Sequence, residues 1–284
     1  MITGNTQLLG VIGYPIQHSL SPVMHNAAID SLGLDYTYVP FAVEPQCLEQ
    51  AIAGLSALGV EGFNVTIPHK QAVMPLLSEI SPIAQAIGAV NTVYRTAAGW
   101  GGTNTDVVGF LTPLRTHALQ PGAIAVVLGN GGAARAVVAG CGELGYSQIA
   151  IVGRDRTKLE QFLCQGTFSK GVSIHLWSEL VTLLPYAQLV VNTTPIGMHP
   201  QVDQSPLSQA ELDRLPTHAV VYDLIYTPHP TLLLHQAMER GLEAIDGLEM
   251  LIHQGAAAWD YWLQRSAPIA VMRSALHDYL SASR

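Results

Sequence analysis

Short apolar runs rich in strand-forming residues alternate with longer runs of helical periodicity along most of this chain. In the first part of the chain, the pattern predicts strands at 8–12, 36–41 and 61–65 and helices at 22–32 and 45–58. Two further strands, at 89–94 and 101–103, flank a turn at 96–99 and are predicted to pair with each other. This alternation is typical of an α/β fold.

A second series with the same alternation begins at residue 124. It predicts a helix at 133–144 and strands at 124–128, 149–152, 174–176, 189–192, 220–224 and 243–245. Two helices, at 248–264 and 268–280, are predicted to follow the last strand. Two such series predict two α/β domains, built largely from βαβ units, with a boundary in the region 106–121. The pattern leaves open whether the last helices pack on the first domain.

The composition narrows the class of protein. A chain of 284 residues that is 49% hydrophobic can bury one large core or two smaller ones. A net charge of −8 without a basic stripe argues against a nucleic-acid partner. No apolar run has the length of a membrane span, and residues 1–17 lack the positively charged segment of a secretory signal. Cys47, Cys141 and Cys164 are widely spaced, as in reduced cytosolic proteins, so we expect a cytoplasmic protein.

A glycine-rich loop follows the predicted strand 124–128 and opens the next helix. It has the spacing Gly129-x-Gly131-x-x-Ala134, in which two glycines allow a tight turn and a close approach of the backbone to a pyrophosphate. The helix N-terminus would supply unpaired N–H groups for the phosphates. We therefore predict a dinucleotide site that involves the residues Gly129, Asn130, Gly131, Gly132 and Ala133. A merely tight strand-to-helix turn is the structural alternative.

The end of the next predicted strand indicates which dinucleotide is bound. NAD sites usually carry an acidic residue there, whereas this chain has Arg154 followed by Asp155, with Lys158 nearby. A guanidinium suits a ribose 2′-phosphate, so the sequence favours NADP. Asp155 is a complication, because a carboxylate could repel that phosphate or accept a ribose hydroxyl. A solvated charge cluster in a surface loop is the other interpretation.

Lys70 is the first positive charge in the chain, and none follows until Arg95. Together with Asn64 and Thr66, it comes just after a predicted strand, at the edge where open α/β sheets bind ligands. Asn91 and Asp106 add an amide and a carboxylate near other strand or loop ends. Such groups suit a polyhydroxylated ligand, because each hydroxyl needs a partner once it leaves water. A solvated lysine and ordinary turn or capping residues are the alternatives.

The segment Ser19-Leu20-Ser21-Pro22 precedes the first predicted helix. We expect Ser21 to be the N-cap and Pro22 the first helical residue. Two hydroxyls beside a helix N-terminus would also make a receptor for a carboxylate. Capping alone would explain Ser21, but it explains Ser19 less well. No motif among the eleven histidines indicates a metal site.

Eight spaced motifs in this order resemble those of the shikimate dehydrogenase family over the whole chain. They are SLSP at 19–22 with MHN at 24–26, NVTIPHK at 64–70, GAVNT at 88–92, NTD at 104–106 with GF at 109–110, the glycine loop at 129–136, NTTPIGM at 192–198, DLIYTP at 223–228, and GLEML at 247–251 with QGA at 254–256. The resemblance implies NADP-dependent, reversible reduction of 3-dehydroshikimate to shikimate, in chorismate and aromatic amino-acid biosynthesis. It also implies that the last helices return to the substrate domain.

The resemblance assigns roles by motif position. Lys70 and Asp106 would be the catalytic pair, and Ser19 and Ser21 would hold the substrate carboxylate. Thr66, Asn91, Asp106 and Gln254 would bind the substrate hydroxyls, with Asn64 in support, and Tyr226 and Gly247 would lie between nicotinamide and substrate. Further cofactor residues would be Arg154, Lys158, Thr193, Ile225, Gly247 and Met250. The implied substrate-binding domain comprises 1–106 and about 247–284, and the Rossmann-like NADP domain comprises about 107–246.

Departures from the family pattern leave alternatives open. Asn130 stands where alanine is usual, Gly153-Arg154-Asp155 replaces the common Asn-Arg-Thr, and His69 has no assigned role. Asp155 keeps open a quinate/shikimate dehydrogenase with broader substrate or NAD use. A non-catalytic dinucleotide sensor and a dehydrogenase from another two-domain NADP family, such as the folate or amino-acid dehydrogenases, are more remote. The expected partners are small molecules, and both a monomer and a homodimer fit the sequence.

Overall fold

The computed structural model describes residues 2–117, 119, 122–164, 168 and 171–282. The chain divides into two compact units, one of Met1–Thr105 and Leu251–Arg284 and the other of Asp106–Met250. Part of the region predicted to hold the boundary, residues 118, 120 and 121, lies outside the described residues. The functional assignment of each unit remains a prediction.

Residues 2–105, all of them described by the structure, contain six strands and three helices. The strands are β1 (Gln7–Gly13), β2 (Tyr36–Ala42), β3 (Gly62–Val65), β4 (Glu79–Ile80), β5 (Thr92–Thr96) and β6 (Gly99–Thr103), and the helices are α1 (Ser21–Ser31), α2 (Leu48–Ala57) and α3 (Pro82–Ile87). Helix α2 begins later than predicted because Pro45–Cys47 forms a 3₁₀ turn. The sequence did not predict β4 or α3, which are two and six residues long.

Among the described residues from 106 onward, there are six strands and eight helices. The strands are β7 (Ile124–Leu128), β8 (Gln148–Gly153), β9 (Val172–Leu176), β10 (Ala187–Asn192), β11 (Val220–Asp223) and β12 (Glu243–Ile245). The helices are α4 (Asp106–Leu114), α5 (Gly132–Leu144), α6 (Arg156–Cys164), α7 (Leu180–Leu183), α8 (Gln209–Leu212), α9 (Leu232–Glu239), α10 (Gly247–Trp262) and α11 (Ile269–Ala282). All the strands predicted for this part are confirmed, with ends that differ by at most two residues.

The sheet of the first unit has the order β2-β1-β3-β5-β6-β4. Strand β1 is parallel to β2 and β3, whereas β5 is antiparallel to both β3 and β6. The pairing of the two segments around the 96–99 turn is confirmed, and this hairpin makes the sheet mixed, because a tight turn can join only antiparallel strands. One side of the sheet covers a core that includes Phe63, Val93 and Trp100.

Helices from the end of the chain complete the first unit. Helix α11 packs against α1, as the predicted return of the C-terminal helices requires. Two indole N–H groups of α10 make buried hydrogen bonds: Trp259 donates to Nδ1 of His25 at 2.9 Å, and Trp262 donates to the carbonyl of Val93 at 2.9 Å. The predicted two-domain α/β class is therefore confirmed.

The sheet of the second unit has the order β12-β11-β10-β7-β8-β9, and every pair in it is parallel. Chain order runs outward in both directions from the adjacent strands β7 and β10. Open parallel sheets bind ligands at the carboxyl ends of the two strands where the order reverses. These two strands end at Leu128 and Asn192, so a ligand site is expected among the residues that follow them. No helix that the structure describes is both long and apolar enough to cross a membrane.

Candidate active site

The loop after β3 carries Thr66 and Lys70 and is fixed to the sheet by backbone hydrogen bonds. The Thr66 N–H donates to the carbonyl of Ile12 at 2.9 Å, and the Val90 N–H donates to the carbonyl of Lys70 at 2.8 Å. Both side chains are half-buried. Lys70 is therefore held by its backbone at a strand end, with a side chain that is only partly exposed.

His69 anchors this loop through its buried side chain, a role that the sequence did not predict. Its side chain is 1% exposed, and Nε2 lies 2.7 Å from the carbonyl oxygen of Val43. The His69 N–H also donates to the carbonyl of Thr66 at 2.9 Å, which closes the turn. The imidazole thus anchors the residue next to Lys70 to the segment after β2.

Asn64 lies within β3 and is almost fully buried. Its Oδ1 accepts from the Tyr38 hydroxyl at 2.6 Å, and its Nδ2 donates to the Asn91 carbonyl and to Thr92 Oγ1, both at 3.2 Å. Both ends of the amide have partners, which fixes its orientation. This arrangement fits the supporting role that the resemblance assigns to Asn64.

The amide of Asn91 joins three distant segments of the chain. Its Nδ2 donates to Thr105 Oγ1 at 3.0 Å and to Gln254 Oε1 at 3.3 Å, and its Oδ1 accepts from the Thr105 N–H at 2.7 Å. The Gln254 Nε2 in turn donates to the Leu251 carbonyl at 2.8 Å. The predicted substrate residues Asn64, Asn91 and Gln254 are therefore brought together in the first unit.

The predicted N-cap role of Ser21 is wrong. Leu20 is the N-cap of α1, its backbone already lies in the right-handed helical region, and no side chain caps the helix. The Val23 N–H donates to the Leu20 carbonyl at 3.1 Å, which makes Ser21 the first helical residue and Pro22 the second. The Ser21 N–H donates to Ser19 Oγ, outside the helix, at 3.4 Å. Ser19 Oγ therefore accepts from the N–H of the first helical residue, whereas the Ser21 hydroxyl takes no part in capping.

Asp106 is the first residue of α4 and is 5% exposed. It directly follows Thr105, whose N–H and hydroxyl are both tied to Asn91. The backbone that leads into the predicted catalytic carboxylate is therefore fixed by the same amide that contacts Gln254. Asp106 belongs to the second unit and Lys70 to the first.

The turn between β7 and α5 fits a pyrophosphate. Gly129 has φ of +103°, and a Cβ there would lie 2.7 Å from Thr193 Oγ1. Gly131 is the N-cap of α5, and a Cβ on it would meet no protein atom within 4 Å. The backbone at the start of this helix is thus open to a ligand, and its unpaired N–H groups favour an anion.

The loop after β8 contains the two charged residues that bear on cofactor choice. Arg154 is exposed, whereas the Asp155 carboxylate accepts from the Lys158 N–H at 3.2 Å at the start of α6. This contact gives Asp155 a helix-capping role, which explains an acidic residue here without a ribose contact. Arg154 and Lys158 both remain exposed at this end of the strand.

A buried polar network joins the carboxyl ends of β10 and β11. Asp223 Oδ1 accepts from Asn192 Nδ2 at 3.0 Å and from the Ile225 N–H at 3.1 Å, while Oδ2 accepts from the Thr231 hydroxyl at 2.7 Å. The network fixes the backbone at Ile225, one residue before Tyr226. Burial raises the pKa of Asp223 to about 6, although its hydrogen bonds with Thr231, Ile225 and Asn192 oppose that shift.

Two other predicted cofactor residues, Thr193 and Gly247, lie at the carboxyl edge of the second sheet. Thr193 directly follows β10, and its N–H and hydroxyl both donate to the Leu128 carbonyl, at 2.9 and 2.7 Å. Gly247 starts α10, and a Cβ there would collide with the Leu224 carbonyl. Only glycine allows this close approach of α10 to the segment before Ile225. Met250, one turn on, is buried.

Comparisons with known proteins identify the family. The family model described as the shikimate dehydrogenase substrate binding domain matches residues 11–93, and that described as the shikimate 5'-dehydrogenase C-terminal domain matches 247–277. A protein of Trichormus variabilis named shikimate dehydrogenase (NADP(+)) is 58% identical, with 99% of each chain covered. The chain belongs to the shikimate dehydrogenase family.

Solved structures of the shikimate dehydrogenase family agree with this result. One shikimate dehydrogenase, determined in complex with NADP+, is 38% identical and has a TM-score of 0.90, with 99% of this chain and 98% of that chain covered. The Thermus thermophilus shikimate 5-dehydrogenase, in complex with NADP(H) and shikimate, is 32% identical with a TM-score of 0.84, over 96% and 99% of the two chains. The predicted family is therefore confirmed.

The buried Asp223 carboxylate should make the stability of the second unit depend measurably on pH. The pKa of Asp223 is raised in the folded state, so its favourable contribution is complete below pH 3.8 and is lost as the pH rises through about 6. That loss amounts to about 3 kcal/mol of unfolding free energy. Urea unfolding should show that the wild type loses unfolding free energy relative to Asp223→Asn as the pH rises from about 4 to about 7. Parallel pH profiles of the two proteins would contradict this account.

Proposed function

We propose that this chain is an NADP-dependent shikimate dehydrogenase that reversibly reduces 3-dehydroshikimate to shikimate. The observation that carries the proposal is the 58% identity, over 99% of the chain, to a relative named for this activity and cofactor. The reaction is the one that forms shikimate on the route to chorismate and the aromatic amino acids. The cluster of Asn64, Asn91 and Gln254 supports a polyhydroxylated substrate, because these amides offer several hydrogen-bonding groups in one place.

The residues of the first unit divide into a carboxylate end and a hydroxyl end. We assign Ser19 and Ser21 to the substrate carboxylate, and Thr66, Asn91 and Gln254 to its hydroxyls, with Asn64 in support. The half-buried Lys70 follows Thr66 in the same anchored loop. Tyr226 is assigned to the substrate as well, and its neighbour Ile225 to the cofactor.

Reduction of the substrate ketone to an alcohol needs a hydride and a proton. Bound NADPH supplies the hydride to the ketone carbon. Lys70 is the proposed general acid: its ammonium donates a proton to the carbonyl oxygen as negative charge develops there, and its amine takes that proton back in the oxidation direction. Asp106 is the proposed partner that orients Lys70 and accepts a hydrogen bond from the substrate hydroxyl.

The second unit is proposed to bind NADP. The pyrophosphate is assigned to residues 129–133 (Gly129, Asn130, Gly131, Gly132 and Ala133), and the 2′-phosphate to Arg154 and Lys158. Thr193, Ile225, Gly247 and Met250 are assigned to the nicotinamide end of the cofactor. The capping role of Asp155 supports NADP over NAD, since that carboxylate already has a partner in the protein.

Two further proposals concern the cellular location and the oligomeric state. Cys47, Cys141 and Cys164 are all free thiols, which supports a reducing, cytoplasmic location. A homodimer is compatible with the proposed activity, and size-exclusion chromatography with light scattering would distinguish it from a monomer.

Initial rates of cofactor reduction test the proposed activity directly. Shikimate and quinate are each paired with NADP and NAD, and we expect turnover confined to shikimate with NADP. Comparable rates with quinate or NAD would indicate the broader-specificity branch of the family. No turnover with any pair would contradict the proposed function.

Lys70→Ala tests the general acid. We expect kcat to fall about 10²–10⁴-fold, because proton transfer to the developing alkoxide is lost, while shikimate affinity changes much less. Arg95→Ala is the control, since it removes a cation of the same unit that instead bonds the Val60 carbonyl at 2.8 Å. A variant that kept its turnover but lost shikimate binding in calorimetry would show that Lys70 is a binding group only.

Arg154→Ala tests the 2′-phosphate assignment. Losing a charge-assisted contact should raise KM for NADP roughly 10- to 100-fold and leave KM for NAD unchanged. Arg156→Ala is a matched control two residues later, at the start of α6, because Arg156 is paired with Glu160 at 3.2 Å. If both variants kept the wild-type preference between NADP and NAD, cofactor choice would have to come from elsewhere in the second unit.

A further inference from the structure

His25 of α1 is fully buried, and its imidazole accepts a hydrogen bond from a helix near the other end of the chain. The side chain is 0% exposed, and the Trp259 indole N–H of α10 donates to His25 Nδ1 at 2.9 Å. An indole nitrogen can only donate, so Nδ1 carries a lone pair and the ring proton lies on Nε2. The imidazole is therefore neutral, in agreement with full burial, which lowers the pKa of His25 to about 3.

The second ring nitrogen of His25 faces α10 as well. Gly255 lies one turn before Trp259, and a Cβ on Gly255 would collide with Met24 Cε and lie 3.2 Å from His25 Nε2. Within the described part of the chain, Nε2 is buried and has no hydrogen-bond partner. A phenyl ring would avoid the cost of burying that N–H, so the presence of an imidazole is explained by its Nδ1 contact.

Helix α10 is fixed to the first unit at two places along its length. His25 contacts Gly255 and Trp259, which are four residues apart and therefore lie on one face of the helix. The His25 ring also stacks on Tyr38, with centroids 4.3 Å apart and an interplanar angle of 18°, so it is held against α10. Further along, the Trp262 indole donates to the Val93 carbonyl at 2.9 Å. His25 thus fixes the part of α10 around residue 255.

Gln254 is the neighbour of Gly255 and the residue of α10 that is assigned to a substrate hydroxyl. Its Oε1 accepts from Asn91 Nδ2 at 3.3 Å, and its Nε2 donates to the Leu251 carbonyl at 2.8 Å. The contact with Asn91 is longer than the usual distance of about 2.9–3.0 Å. A small shift of α10 would therefore break this contact and change the orientation of the Gln254 amide.

We propose that His25 is a positioning residue: its neutral imidazole sets how closely α10 docks on α1, and thereby where the Gln254 amide meets a ring hydroxyl of the substrate. The inference rests on the proposed function, which gives Gln254 its substrate role. His25 acts through Gly255 and Trp259, which belong to the same helix as Gln254. A change in this docking should weaken substrate binding and leave hydride and proton transfer unchanged.

His25→Phe keeps a stacked ring but leaves the Trp259 N–H without its acceptor. We expect KM for shikimate to rise roughly 3- to 10-fold, as for the loss of one hydrogen bond, while kcat stays within about twofold and KM for NADP does not change. His25→Asn should recover part of the affinity, because its amide oxygen can take the place of Nδ1.

Trp262→Phe is the matched control on the same helix. It removes the other indole hydrogen bond of α10, which lies about 12 Å beyond Gln254 along the helix axis. This variant should lower the midpoint of urea unfolding and leave KM for shikimate within about twofold of the wild type.

A double-mutant cycle with Gln254→Ala tests whether His25 acts through this amide. Gln254→Ala alone should raise KM for shikimate. If His25 acts by placing Gln254, adding His25→Phe to Gln254→Ala should cause no further rise in KM. Two changes that add in full would show that His25 serves only the stability of the first unit, and would overturn the inference.

Gly255→Ala tests the docking distance from the side of α10 and keeps both hydrogen-bonding rings. The added methyl group would meet Met24 and the His25 ring, so we expect α10 to be displaced and KM for shikimate to rise roughly 2- to 10-fold. Because alanine favours a helix more than glycine does, this rise should come without a large fall in the unfolding midpoint. The variant also decides the question if His25→Phe does not fold.

The outcomes separate this inference from the proposed function. A wild type without shikimate turnover would overturn both. An active wild type whose His25→Phe and Gly255→Ala variants keep its KM for shikimate would overturn the positioning role alone. A parallel loss of kcat and of affinity for both shikimate and NADP would also overturn it, because that pattern indicates a general loss of structure.

Discussion

The buried side-chain amide of Asn91 is the interaction on which the first unit of this protein depends. It is 2% exposed and bonds to Thr105 and Gln254, while the carbonyl of the same residue accepts from Asn64. An unsatisfied amide in this position would cost about 1–3 kcal/mol, so its contacts stabilise these segments in one arrangement. Residues far apart in sequence thereby acquire one fixed geometry, which a ligand with several hydroxyls can recognise without reordering the protein.

The second unit follows a different physical rule. Its proposed cofactor site lies where the strand order reverses between β7 and β10, beside the open backbone at Gly131. The buried Asp223 network then fixes the loops around this edge, at the expense of keeping a carboxyl group out of water. In both halves, buried polar groups position the residues that are proposed to meet the ligands.

Sequence patterns predicted most of the strands because period and strand propensity are local properties. They missed α3, although Ser81 caps it by accepting from the Ala84 N–H at 3.3 Å and Pro82 follows. That Ser-Pro signal was readable, but the helix is too short to show a period. The same signal misled at Ser21, because the backbone of Leu20 enters the helix first. Asp155 was readable as a cap, since an acidic residue three positions before Lys158 is typical of a helix start.

Other site features could not be predicted from local pattern. The contact between Asn91 and Gln254 spans 163 residues, and nothing in either segment encodes it. His69 and Tyr38 act through the Val43 carbonyl and Asn64, contacts that exist only after the first sheet has formed. The family resemblance supplied these residues' neighbours by motif, and the structure supplied the physical reason for them.

The proposed function requires that the residues of the first unit hold shikimate and that Lys70 meets the reacting oxygen. The most direct measurement is a crystal structure of the chain with shikimate and NADP+ bound. The account predicts the carboxylate on Ser19 and Ser21, ring hydroxyls on Asn91 and Gln254, and the Lys70 ammonium within hydrogen-bond distance of the hydroxyl that is oxidised. A shikimate molecule bound with its carboxylate on other residues, or with Lys70 turned away from that hydroxyl, would contradict it.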